Sequence, residues 1–171
     1  MSRDSFEDLR DEFVGQWGTL GASWGINRSM AQLHARLLVA EEPLCTDDLM
    51  EDLALSRGNA NTNIRELVSW GLVRQVPIKG ERRQYFEAET SVWKIMCIVA
   101  RERKRRELEP TLALLRDIAE RSKKLKVTGG KTFHKRVSAL ADFVETGCKL
   151  LDKVVAREES QVVPALLKLF K

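Results

Sequence analysis

The sequence predicts a mainly α-helical protein with a small β-wing, that is, a winged helix-turn-helix followed by long helices. Only 10 of the 171 residues are Gly and 4 are Pro, and apolar residues recur at helical spacing along most of the chain. Two short helices joined by a tight turn are predicted between Thr46 and Gly71. Two β-prone runs, LVRQVPI and QYFEAE, flank the turn sequence KGERR and predict a hairpin.

Two helices are expected at the N-terminus. The first covers residues 6–20 and is expected to end near Gly18 and Gly21. Asn27 or Ser29 can cap the second helix, which stops before the sequence EEP. The positions of this second helix expected to face inward are Met30, Leu33, Leu37 and Leu38.

The helix-turn-helix pair follows. Thr46 is expected to start the third helix, and the two aspartates after it lie at the positive end of the helix dipole. Ser56 can cap a fourth helix that runs to about Trp70 and stops at Gly71. Its apolar residues at helical spacing are Ala60, Ile64, Leu67 and Val68.

Charge is distributed unevenly along the chain. Residues 1–90 carry 10 Lys and Arg against 15 Asp and Glu, whereas residues 91–171 carry 19 against 10. Within the acidic half, residues 57–83 hold six bases and two acids. This window therefore predicts an anionic partner.

The fourth helix is unusually rich in Asn, Thr and Ser. Asn and Thr cost helix stability, so an exposed face that carries them indicates a role beyond solvation. In a helix-turn-helix, the second helix enters the DNA major groove, where Asn pairs with adenine and Arg with guanine, while wing cations hold the flanking backbone. The predicted DNA-contacting residues are Ser56, Arg57, Asn59, Asn61, Thr62, Arg65, Lys79, Arg82 and Arg83. The alternative is a winged helix that docks another protein in a larger complex.

The sequence resembles the GbsR branch of the MarR-type winged-helix regulators. The resemblance is carried by SRGNANTNIRELVSWGLV and GERRQYFEAET, and it covers residues 28–95. It implies a homodimeric transcriptional regulator, most simply a repressor, bound to a pseudo-palindromic operator in double-stranded DNA. The chain departs from the family pattern at Ala31, Gln32, Leu33, Gln84 and Phe86.

The last 80 residues are expected to support dimerisation. A long helix is predicted over residues 92–124, interrupted at most by Pro110, and a second over 132–158 after the sequence KVTGGKT. The second helix places a seam against another helix at Val137, Leu140, Val144, Cys148, Leu151 and Val155. A hairpin within one chain is the alternative partner for this seam. The predicted divisions are an N-terminal dimerisation helix (1–27), a winged helix-turn-helix (28–90) and a helical dimerisation and effector region (91–171).

Sensing is less clearly encoded. The resemblance implies that some family members respond to osmolytes such as choline or glycine betaine, and a quaternary ammonium group requires aromatic faces around it. The candidate cage residues are Phe13, Trp17, Trp24 and Trp93, for which packing into the core is the alternative. A rival sensor is oxidation of Cys45, expected to be the most exposed of the three cysteines.

The sequence argues against several classes of protein and of binding site. The chain has no Gly-rich phosphate loop, nucleophile elbow or metal-ligand spacing, so neither an enzyme nor a metal or cofactor site is predicted. The acidic N-terminus and a longest apolar run of six residues argue against a signal peptide and a membrane span. Three widely separated cysteines favour a reducing cytoplasm. The amphipathic C-terminal tail VVPALLKLFK is expected to pack on the dimer core.

Overall fold

The helices and strands of the chain group into two units, one ending at Val92 and the other beginning at Trp93. The computed structural model describes residues 5–156. In chain order, the elements before Val92 are α1 (Phe6–Ser23), α2 (Arg28–Leu38), β1 (Leu44–Cys45), α3 (Thr46–Leu53), α4 (Arg57–Trp70), β2 (Val73–Val76) and β3 (Tyr85–Ala88). From Val92 onward they are α5 (Val92–Arg103), a π turn (Lys104–Leu108), α6 (Glu109–Ser122) and α7 (Gly130–Val155). The predicted fold class, mainly helical with a small wing, is confirmed.

Helix α1 continues through the two glycines at which it was expected to end. Gly18 and Gly21 are both buried, and α1 reaches Ser23. A Cβ atom on Gly21 would lie 2.5 Å from the Cβ atom of Ala31 in α2, and one on Gly18 would lie 2.5 Å from Cγ of Gln32. The glycines therefore let two helices approach closely, and the prediction that they terminate α1 is wrong.

The predicted caps of α2 and α4 are present in the structure. The Asn27 side chain accepts a hydrogen bond from the Met30 amide at 3.2 Å, and Ser56 accepts one from the Asn59 amide at 3.3 Å. Gly71 ends α4 in the left-handed conformation, with φ at 85°. The core of this unit includes Met30, Leu33, Leu37, Leu49, Ala60, Ile64, Leu67, Val73 and Phe86. Val68 was expected with them but is 39% exposed.

The wing is a three-stranded antiparallel sheet with the order β1-β3-β2. Strands β2 and β3 form the predicted hairpin, and Gly80 supplies a positive φ of 90° in its turn. Strand β1 was not predicted, because two residues are too few for a periodic pattern. It pairs Cys45 with Tyr85 and fixes the start of α3 beside the hairpin.

The second unit contains a helical hairpin. The residues from α5 to α6 form one helical run, with a π turn just before Pro110. Proline has no amide N–H to donate, so it cannot complete the regular hydrogen-bond ladder. Helices α6 and α7 pack together in opposite directions, as Arg116 pairs with Glu145 and Lys104 with Asp152. Helix α6 ends at Ser122, two residues before the predicted end of this long helix.

Of the six residues of the predicted α7 seam, Leu140 is exposed and the other five are buried or half-buried. Cys148 is buried, but Leu140 is 55% exposed. A second set of apolar side chains is exposed on this helix, at steps of three, seven and four residues: Leu140, Phe143, Leu150 and Val154. The end of the predicted helix, at 157–158, and the C-terminal tail lie outside the described residues.

Among residues 5–156, no helix has the length and apolar character needed to cross a membrane.

Candidate nucleic-acid interface

Helix α4 buries three of its four predicted apolar residues, and most of its predicted DNA-contacting residues are exposed. Ala60, Ile64 and Leu67 are at most 2% exposed. On the remaining surface, Thr62 and Arg65 are exposed and Asn61 is half-buried. The helix therefore offers hydroxyl, amide and guanidinium groups to a ligand, as base-edge reading requires.

The first residue of α4 is already paired with an acid. Nη2 of Arg57 donates to Oδ1 of Asp47 in α3 at 2.7 Å, and both side chains are more than half exposed. An ion pair at such exposure is weak, so an incoming anion can compete for the guanidinium. The α4 backbone amides that follow the Ser56 cap lie at the positive end of the helix dipole.

The cations of the window 57–83 differ in how much of their charge is available. Arg74 forms a cross-strand ion pair with Glu87, its register partner. Arg65, Lys79 and Arg82 are exposed and have no acidic partner among residues 5–156. These three side chains are therefore the freest cations of the predicted site.

Arg83 points back toward the body of the unit. Its guanidinium lies 5.8 Å from the centroid of the Tyr85 ring, 3.8 Å from Sγ of Cys45 and 3.6 Å from a Glu81 carboxylate oxygen. Tyr85, then Cys45 and Glu81, raise the pKa of Arg83 above its usual value, so it stays charged. Arg83 borders a cleft of about 200 Å³ that Arg57, Asp47 and Asn61 also line. The cleft joins α4, the start of α3 and the wing.

Cys45 is not the exposed thiol that a redox sensor requires. Its relative exposure is 1%, and Cys97 and Cys148 are buried as well. Burial of Cys45 follows from its place in β1, where it pairs with Tyr85 and precedes α3. Its backbone amide donates to Oδ2 of Asp48 at 2.8 Å. The prediction of Cys45 as the most exposed cysteine is wrong.

One polar residue of α4 was missed by the sequence analysis. Asn63 is 5% exposed, and its Nδ2 donates to the backbone oxygen of Asn59 at 2.9 Å and to Oδ1 of Asn59. Nδ2 of Asn59 in turn donates to Oγ of Ser29 in α2 at 3.3 Å. The four-residue spacing of the two asparagines on a predicted helix was the signal that could have shown this contact.

The candidate effector residues are only partly brought together. The rings of Phe13 and Trp17 lie in contact, with their centroids 5.6 Å apart. Trp24, after the end of α1, is 58% exposed. Trp93 belongs to the second unit. Of the four candidate cage residues, only Phe13 and Trp17 are thus shown in contact with each other within the first unit.

Residues 5–156 contain no group of three or more His, Cys, Asp or Glu side chains placed to hold a metal ion.

The chain was compared with protein families, with individual sequences and with solved structures. No family model matches the sequence. Over 110 residues, or 64% of this chain, the sequence is 32% identical to the HTH-type transcriptional regulator MmpR5 of Mycobacterium tuberculosis, and the match covers 62% of that protein's length. A crystal structure described as a transcriptional regulator aligns with a TM-score of 0.62 at 23% identity, over 88% of this chain and 98% of the other. The structural likeness supports the fold.

Proposed function

We propose that this chain is a dimeric, sequence-specific DNA-binding transcriptional regulator of the GbsR branch of the MarR-type regulators, and that it acts as a repressor. The observation that carries the proposal is the surface of α4, where Asn61, Thr62 and Arg65 lie outside a fully buried apolar stripe. The name of the mycobacterial relative, an HTH-type transcriptional regulator, agrees with it.

In this proposal, α4 enters the major groove and the wing follows the flanking backbone. Asn61, Thr62 and Arg65 face base edges, and the α4 N-terminus with Arg57 receives a phosphate. Lys79 and Arg82 at the hairpin turn contact phosphates or the minor groove and contribute affinity more than sequence information. Arg83 is held near Tyr85 and lines the cleft between the wing and α4.

Dimerisation is proposed through apolar surface that the single chain leaves exposed. On α7, Phe143 is 77% exposed and Leu150 59% exposed, on a stripe with Leu140 and Val154. On α1, Phe6 is 71% exposed and Leu9 53% exposed. Apolar surface of this extent is typical of an interface. A dimer also supplies the second recognition helix that a two-fold operator requires.

A small-molecule effector is proposed to act at the aromatic residues of α1. The Phe13–Trp17 pair offers ring faces of the kind that bind a quaternary ammonium group such as that of choline or glycine betaine. Titration of either compound into the protein should change the tryptophan fluorescence with a saturable dependence at millimolar ligand. Absence of a saturable change would remove the effector from the proposal.

The experiment that tests the main proposal is binding to the DNA upstream of the chain's own coding sequence and to a scrambled duplex, over a series of salt concentrations. We expect the parent to prefer the upstream DNA. Asn61→Ala should reduce that preference by about 1–3 kcal/mol for each half-site, since it removes one base contact per protomer. Arg82→Ala should weaken binding to both duplexes equally and lower the salt slope by about one for each protomer bound.

Absence of binding to either duplex at low salt would contradict the proposal and favour the protein-docking alternative. Glu12→Ala in α1 is a suitable control, because it removes an exposed charge from the first unit outside α4 and the wing. It should leave the preference between the two duplexes unchanged.

A further inference from the structure

The buried stripe of α4 contains one amide where an apolar residue would be expected. Ala60, Asn63, Ile64 and Leu67 follow each other at steps of three, one and three residues, and each is at most 5% exposed. A buried amide lowers stability unless its polar atoms are hydrogen-bonded. The amide of Asn63 is therefore expected to have a role that a leucine at the same position could not fill.

The hydrogen bonds of Asn63 lead outward to the exposed end of α4. Its Nδ2 donates to the main-chain oxygen of Asn59 at 2.9 Å and to Oδ1 of the Asn59 side chain. Nδ2 of Asn59 donates to Oγ of Ser29 at 3.3 Å, in the first turn of α2. Three side chains from two helices thus form one connected set, and Asn59 is its exposed member.

This set fixes the direction of the Asn59 amide. Its oxygen faces Asn63 and its nitrogen faces Ser29, so rotation by half a turn would break both hydrogen bonds. One N–H and one lone pair of Asn59 remain unused by these contacts. A donor beside an acceptor is the pattern with which Asn pairs to N7 and N6 of adenine in the major groove.

We propose that Asn63 and Ser29 are positioning residues that hold Asn59 ready to read an adenine, so that the base preference of the protein depends on a side chain that does not contact DNA. The inference rests on the proposed function, since it assigns a specificity role within the same site. A preset amide also loses less rotamer freedom on binding, which adds to the discrimination between bases.

The test is selection of preferred sites from a random duplex library by the full-length protein, followed by affinity measurements on the selected site and on versions with each adenine replaced. For the parent, replacing the adenine read by Asn59 should weaken binding by about tenfold or more. Asn63→Leu and Ser29→Ala should each reduce this factor severalfold, and both should leave the affinity for non-specific DNA unchanged within about twofold.

Two further variants separate positioning from a structural role. In an Asn59→Ala background, Asn63→Leu should have no additional effect on the preference, because the residue through which it acts is gone. Ile64→Val changes the same buried stripe without touching the amides, and it should keep the preference of the parent. Circular dichroism confirms that each variant is folded before its affinity is compared.

The outcomes distinguish the inference from the function on which it rests. If the parent selects no sequence, the proposed function fails. If the parent selects a site and both Asn63→Leu and Ser29→Ala keep its adenine preference, the positioning role is wrong while the function stands. The positioning role would also be wrong if Asn63→Leu reduced the adenine preference equally in the parent and in the Asn59→Ala background.

Discussion

The guanidinium of Arg57 donates to the carboxylate of Asp47 at 2.7 Å, so the first residue of the proposed recognition helix is paired with an acid in the preceding helix. Both residues line the cleft beside the wing. A DNA phosphate that approaches α4 must compete with Asp47 for Arg57 and is repelled by the Asp47 charge. The pair therefore reduces the electrostatic part of the affinity.

Asp47→Asn should strengthen DNA binding, because it frees Arg57 and removes a negative charge from the cleft. We expect an increase in affinity of about fivefold at low salt, which declines as the salt concentration rises. Fluorescence anisotropy with labelled duplexes at several salt concentrations measures it. Asp11→Asn changes the net charge equally at an exposed pair outside the cleft and serves as the control. Equal gains from both variants would argue against a specific role for Asp47.

Replacement of two glycines of α1 by alanine should change the free energy of unfolding in opposite directions. A Cβ on Gly21 would lie 2.5 Å from Cβ of Ala31, so Gly21→Ala should lower the free energy of unfolding by about 1–3 kcal/mol. Gly15 has no heavy atom within 4 Å of such a Cβ, and Gly15→Ala should raise the free energy by about 0.5–1 kcal/mol through helix propensity. Urea unfolding of the two variants and the parent gives both values. A gain in stability for Gly21→Ala would contradict the close approach of α1 and α2.

His34 should make the stability of the protein depend on pH. It is 5% exposed, burial lowers its pKa from 6.5 to about 4, and its Nε2 has no hydrogen-bond partner among residues 5–156. Between these pH values the unfolded chain binds a proton that the folded chain does not. Stability is therefore complete above pH 6.5 and is lost as the pH falls toward 4, by up to about 1.4 kcal/mol per pH unit.

Urea unfolding across this pH range measures the effect. The stability of His34→Leu should depend less on pH than that of the parent, because the buried imidazole is removed. The same pH dependence in the parent and in His34→Leu would show that other groups cause it.

Local signals explain which parts of the fold could be predicted from the sequence. The bounds of α4 were predicted because Ser56 and Gly71 act through hydrogen bonds and backbone conformation within a few residues. The end of α1 was predicted wrongly because a glycine can either end a helix or let another helix approach closely. At Gly21, only the position of Ala31 in the folded chain shows which of the two roles applies. Strand β1 depends on a partner some 40 residues away in the sequence.

In the candidate site, too, local features could be predicted from the sequence and features that depend on distant residues could not. Spacing predicted the burial of Ala60, Ile64 and Leu67 on α4, since the helical period sets which side chains share a face, but it missed the burial of Asn63 and the exposure of Val68. It could not show which cations are already paired, because Asp47 and Glu87 reach Arg57 and Arg74 through tertiary structure. Cys45 was expected to be the most exposed cysteine, and its pairing with Tyr85 in β1 buries it.

The exposed stripe on α7 leads to the last prediction. Phe143 is 77% exposed in the single chain, so Phe143→Lys should leave the free energy of unfolding of the isolated chain nearly unchanged. In the proposed dimer the new lysine would be buried against apolar side chains, and a buried unpaired charge is strongly unfavourable. Sedimentation equilibrium should therefore show a shift from dimer to monomer, with a matching loss of affinity for DNA that carries two half-sites.

Asp142→Asn is the matched control, because it raises the net charge by the same amount at the neighbouring position, where Asp142 pairs with Arg116 at 3.0 Å. It should remain dimeric, since its side chain leaves α7 in a different direction from the stripe. If the parent is itself monomeric at micromolar concentration, the proposed dimer is wrong. If Phe143→Lys dimerises like the parent, the interface lies elsewhere, and the exposed residues Phe6 and Leu9 of α1 become the surface to change next.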